Sequence, residues 1–169
     1  MIRPILRYGE AALHAAARPV ERFDDELRDL LRDMIETMYA APGIGLAAPQ
    51  IGVPLRVFVI DVTAGQKTGE LHTVVNPAFV TCTGMQMEEE GCLSIPGFNA
   101  TVVRPSRAVV KGVDEKGREK VIEGTGLLAR ALQHEMDHLD GALFVDRLRG
   151  IKRDVIVRKV QKLRRSGKW

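Results

Sequence analysis

Gln133-His134-Glu135-Met136-Asp137-His138-Leu139-Asp140-Gly141 lies at the end of a segment, Leu127 to Leu139, that reads as a helix. Leu128, Ala131, Leu132 and Met136 recur with the 3.6-residue period of a buried helical face. Thr125 is the expected N-cap and Gly141 the stop. On such a helix His134 and His138 stand one turn apart on one face, so both imidazoles can reach one cation. Glu135 is turned by about 100° from His134, which suits a base acting on water beside the ion rather than a further ligand. The chain has four histidines, His14, His72, His134 and His138, so half of them sit in this motif.

A catalytic metal site of this kind takes three protein ligands and leaves one position open. Cys92 is the candidate for the third. It lies in Glu90-Gly91-Cys92-Leu93-Ser94, after a strand candidate and beside a glycine, where a thiol is presented rather than buried. The other cysteine, Cys82, in Val80-Thr81-Cys82-Thr83, reads as a small core hydrophobe. Two thiols make no disulfide framework and point to a reducing compartment. Cysteine and histidine together suit zinc on ligand softness alone.

Outward from this segment the chain reads as α+β. Asp24 or Asp25 caps a first helix with the apolar stripe Leu27, Leu30, Leu31, Met34, Ile35 and Met38, ended by Pro42 and Gly43. A Gly-rich connection, Gly43 to Gln50, leads to a buried strand over Leu55–Ile60. Further strands are expected over 73–75, 84–89, 101–103, 107–113 and 120–123, separated by Asn-Pro, Gly and Asp-rich turns, with Lys116-Gly117 at a hairpin tip. After the histidine helix, Leu143–Val145 reads as a short strand and Lys152–Arg165 as a last, basic helix. The expected architecture is a set of mixed or antiparallel strands packed around the central helix, with a helix at each end of the chain. No repeat or linker divides the 169 residues, so one catalytic domain over 1–169 is expected, its basic tail (147–169) included.

Composition is that of an ordinary globular protein, 45% hydrophobic and 28% charged. No stretch approaches the roughly 20 apolar residues needed to span a bilayer, and residues 1–7 lack a secretory signal. A cytoplasmic address and no membrane partner are the expectations. Net charge is +3, but Arg147 to Trp169 holds ten Lys/Arg against Asp154, so the tail carries +9 and the remainder −6. That asymmetry points to a polyanionic partner for the tail. Ile156, Val160 and Leu163 form its apolar stripe, so a solubilising surface helix is the alternative.

Three segments taken together, Gly43-Ile44-Gly45-Leu46-Ala47-Ala48-Pro49-Gln50, Glu90-Gly91-Cys92-Leu93-Ser94 and Gln133 to Gly141, resemble the three signature motifs of the peptide deformylases, in order. The resemblance extends over nearly the whole chain. It implies hydrolysis of the formyl group from N-formylmethionine at the start of new polypeptides, with one Fe(II) per chain that Ni, Co or Zn can replace. It implies Cys92, His134 and His138 as ligands and Glu135 as general base. Gln50, through its side-chain amide, and Leu93, through its backbone N–H, match the family's oxyanion donors. Backbone groups near Ile44, Gly45 and Gly91 match those that pair with the extended peptide. For the methionine side chain the expected pocket is Ile44, Leu127 and the face around Ala131 and His134, with plain core packing an equal reading of Leu127. Glu90 and Arg104 are expected as an ion pair supporting the cysteine segment, or else as a solvated pair. Family members with basic C-terminal helices imply contact of the tail with ribosomal RNA, and a monomer is expected.

Two other classes share features of this sequence. A zinc peptidase with the same histidine motif cleaves internal amides, and it leaves Cys92 and the Gly-rich segment without a role. A structural metal module binding RNA through its tail would close its site with four protein ligands.

Overall fold

The computed structural model describes residues 1–169. Ten main elements follow in chain order: α1 (Asp25–Ala40), β1 (Gly45–Ala47), β2 (Val57–Ile60), β3 (His72–Thr83), β4 (Gln86–Gly91), β5 (Asn99–Arg104), β6 (Arg107–Val113), β7 (Glu119–Thr125), α2 (Gly126–Leu139) and α3 (Ile151–Arg165). Five strands form one antiparallel sheet in the order β1-β2-β3-β6-β7, while β4 and β5 pair only with each other. The class is α+β as expected, with every ladder antiparallel.

The central helix owes its place to β2. Side chains of a strand alternate between faces, and in β2 every residue is apolar and buried. Val57 and Val59 pack under α1 with Leu27, Leu31, Met34 and Met38. Phe58 and Ile60 face the other way, against Ala131, Leu132, Met136 and Leu139 of α2. The sheet is therefore sandwiched between two helices, and its core strand loses the polar alternation of a half-exposed one. A third apolar cluster joins Leu13, Ile95 and Val102 to Leu143, Phe144, Val145, and Ile156 and Val160 of α3. It seats the β4–β5 hairpin and the basic helix on the same flank.

Four local expectations are corrected. The Gly-rich connection is not all loop, because Gly45–Ala47 forms β1 against β2 and Ala48–Ile51 a 3-10 turn. Asn76-Pro77 is no turn but a bulge within the long β3, with Asn76 at φ 52°. Asparagine tolerates that left-handed conformation, and its side chain here pairs with both backbone groups of Val20. Leu143–Val145 is not a strand; a 3-10 turn, Phe144–Arg147, folds there, closed by the Asp146 carboxylate accepting from the Leu143 N–H. Cys82 is exposed on β3, not a core residue.

Asp24 caps α1 by accepting from the Leu27 N–H. Replacing Asp24 by Ala is expected to cost about 1 kcal/mol of stability, seen as a lower urea midpoint at unchanged slope.

Candidate metal centre

The β4–β5 hairpin delivers Cys92 immediately after β4, and α2 delivers the two histidines from its buried last turns. The Cys92 Sγ lies 3.3 Å from His138 Nε2, and the two histidine Nε2 atoms are 3.2 Å apart. All three donor atoms fall within 4.8 Å of one another, though 42 residues separate Cys92 from His134 in sequence. Neighbouring ligands of a tetrahedral ion at ordinary bond lengths stand about 3.3–3.7 Å apart. One sulfur and two imidazoles so spaced fit a single divalent cation.

The orientation of His134 has a physical cause. Its Nδ1 lies 2.7 Å from Glu90 Oε2, which leaves Nε2 aimed at the cysteine. Glu90 in turn is gripped by Arg104 through Nε (2.7 Å) and Nη2 (2.6 Å) and by Arg130 through Nη1 (2.8 Å). Burial alone would raise the Glu90 carboxyl; hydrogen bonds from Arg104 and His134 hold it well below the usual range. Arg104 also reaches Asp137 at 2.9 Å, and Arg147 grips both oxygens of Asp137 at 2.6 Å. The expected Glu90–Arg104 pair is thus a buried bidentate one, not a solvated one. At the level of sequence Asp137 has no role and Arg147 only a place in the basic tail, and nothing there shows that Arg130 meets Glu90 or Arg147 meets Asp137. Asp137, lying inside the histidine motif but turned off its metal face, was the signal available.

Glu135 is 3% exposed, and its Oε2 has no partner within the protein. Burial pushes its carboxyl up to about 7. Gln50, expected on a loop, lies on the 3-10 turn and is 1% exposed. Its Oε1 accepts from the Ala47 N–H at 2.9 Å, so its Nε2 points to Ser94 Oγ at 3.1 Å and Cys92 Sγ at 3.6 Å. Next to the sulfur, the Leu93 N–H donates to no backbone carbonyl.

These groups line a cleft of about 380 Å³ whose walls include Ile44, Gly45, Gly91 and Leu93, with Leu127 and Ala131 at one side. Leu127 is 52% exposed, which excludes core packing, whereas Ala131 is buried. Ile44 is fixed through its carbonyl, which accepts from the Asp61 N–H at 2.8 Å. Asp61 also accepts from the Tyr39 hydroxyl at 2.7 Å; burial and that bond push the hydroxyl up to about 12. Every residue expected at the site therefore borders the same cleft or, for His138, the donor cluster at its floor.

The family profile of polypeptide deformylase matches residues 2–154. The chain belongs to the peptide deformylase family. A peptide deformylase of Acidobacterium capsulatum is 46% identical over 169 residues, covering 100% of this chain and 99% of that one. The crystal structure of a peptide deformylase from Legionella pneumophila superposes with a TM-score of 0.92 at 48% identity, covering 99% of this chain and 98% of that one. That of the Thermus thermophilus enzyme gives 0.87 at 42% identity, covering 95% and 94%. As a member of this family of metalloenzymes, the chain is a hydrolase that removes the formyl group from the N-terminal formylmethionine of newly made polypeptides, releasing formate. No helix is long and apolar enough to cross a membrane.

A Cβ at Gly45 would meet Glu135 Oε1 at 2.6 Å, so a side chain there must push that carboxylate aside. Gly45→Ala is expected to lower kcat/KM for a formylmethionyl peptide by at least about tenfold, because it displaces a buried carboxylate that lines the cleft, and misplacement by about 1 Å at a reaction site can cost about 10²-fold. Circular dichroism should show the fold retained.

Proposed function

We propose that Cys92, His134 and His138 hold the catalytic cation and that Glu135 is the general base. The observation that carries this is the convergence of one sulfur and two imidazoles beside a buried, unpartnered carboxylate on a peptide-sized cleft. The cation is Fe(II), one per chain, replaceable by Zn, Ni or Co. The family resemblance favours iron, and a soft thiolate with two imidazoles accepts all four. The whole chain, 1–169, acts as one catalytic domain.

A divalent cation bound there supplies the Lewis acidity that makes water nucleophilic near neutral pH. Glu135 takes the proton of the attacking water and passes it to the departing amine. A carboxyl pushed up to about 7 by burial can do both. Gln50 Nε2, directed at the sulfur, and the Leu93 N–H, which has no backbone acceptor and belongs to a residue lining the cleft, donate to the oxygen of the formyl group as it gains charge. β1 pairs only with β2 and β4 only with β5, so the outer edges of these strands at Gly45 and Gly91, and the N–H of Ile44, whose carbonyl is held by Asp61, can bond an extended peptide. The methionine side chain enters between Ile44, Leu127 and Ala131, beside His134.

The enzyme acts in the cytoplasm as a monomer on nascent formylmethionyl chains, and α3 contacts ribosomal RNA. Ile156 and Val160 dock α3, and Lys152, Lys159 and Lys162 are left exposed. Cations so placed bind phosphates with a steep salt dependence.

Glu135→Gln, loaded with metal to the wild-type level, is expected to release formate from a formylmethionyl peptide about 10²–10⁴ times more slowly; unchanged turnover would refute the assignment. Replacing Lys152, Lys159 and Lys162 by Gln should weaken co-sedimentation with ribosomes and lower its salt slope by about one for each phosphate no longer neutralised, without changing peptide deformylation.

A further inference from the structure

The hairpin that carries Cys92 is not part of the main sheet. β4 and β5 hydrogen-bond only to each other, so no backbone ladder sets their distance from α2, which carries the histidines. On one flank the hairpin has apolar packing, through Val102 and Ala100. Toward α2 it meets a buried polar layer. Arg104 starts on β5 and reaches Asp137 on α2 at 2.9 Å. Arg130 runs the opposite way, starting on α2 and ending on the hairpin.

Arg130 is 3% exposed and all three of its guanidinium nitrogens are used. Nη1 donates to Glu90 Oε1 at 2.8 Å, Nη2 to the Val102 carbonyl at 2.8 Å, and Nε to Gln86 Oε1 at 3.1 Å. It therefore holds the first and fifth residues of β4 and the middle of β5 at once. A planar guanidinium fixes three partners in one geometry, which a lysine or an apolar side chain cannot do. Glu90 stands two residues before Cys92 on the same hairpin and touches His134.

We propose that Arg130 is a positioning residue for the metal centre: it sets the gap between the cysteine hairpin and the histidine helix, and thereby how long the cation is retained. The inference rests on the ligand assignment made above. It goes further in giving a role to a residue that touches none of the three donors. Loss of Arg130 leaves the Val102 carbonyl without its side-chain donor and Glu90 with Arg104 and His134 alone. The hairpin is then free to shift relative to α2, and the sulfur moves with it.

The test is the rate at which cobalt(II)-substituted protein gives up its ion to excess chelator, followed by loss of the thiolate-to-cobalt absorption. Arg130→Met is expected to release cobalt about tenfold faster than wild type, the low end of the range of about 10–100-fold for lost direct partners of a metal ligand, because Arg130 acts through Glu90. Arg130→Lys, which keeps one donor, should fall between. Release by Arg130→Met within about twofold of wild type, well below that range, would overturn the proposal, whatever happens to its thermal midpoint. Should Arg130→Met fail to fold, Arg130→Lys carries the same test, with release at the wild-type rate as the overturning result. Wild-type cobalt protein lacking the thiolate absorption would instead refute Cys92 as a ligand, and the proposal with it.

Discussion

A single carboxylate, that of Glu90, holds the two halves of this enzyme's centre together. Its oxygens are removed from water and accept from Arg104, Arg130 and His134, so each lone-pair direction lost to solvent is replaced by a charged or ring donor. A buried ion left half-paired is strongly destabilising, and here the pairing is complete only when the β4–β5 hairpin stands at the right distance from α2. The condition that satisfies the charge is the same condition that brings Cys92 to the histidines. Asp137, between Arg104 and Arg147, repeats the arrangement one turn further along the helix.

The apolar architecture and the polar layer divide the labour. β2, buried on both faces, fixes the sheet between α1 and α2 and so fixes the height of the histidine helix. Burial on that helix also strips Glu135 of water, and the same desolvation that costs stability raises its carboxyl into the range where a proton is easily gained and lost. Gln50 reaches the site by a comparable economy. Its carbonyl oxygen is committed to the Ala47 N–H, which leaves only one direction for its amide nitrogen.

Much of this was legible beforehand. The 3.6-residue periods of α1 and α2, the Asp24 cap and the β6–β7 hairpin at Gly117 rest on local chemistry, and each stands where the pattern put it. The misreadings share one cause. Asn76-Pro77 has the composition of a turn, yet its side chain finds Val20 across the molecule and turns a break into a bulge. Cys82 has the composition of a core residue, yet it lies on the part of β3 that no helix covers. Leu143–Val145 has strand-forming residues, yet the Asp146 carboxylate takes the Leu143 N–H and closes a 3-10 turn that packs with α3.

The sequence by itself determined the helix faces, the α+β order and the candidate donors, because periodicity and residue chemistry act over a few residues. His134, His138 and Glu135 were placed relative to one another by helix geometry alone. The tertiary structure alone decided that Cys92 meets them, that Leu127 is exposed at the cleft, and that the buried Arg104 and Arg130 and the half-exposed Arg147 pair with two buried acids. Those outcomes depend on which surfaces lose their water when distant segments pack, a quantity that no local stretch of the chain contains.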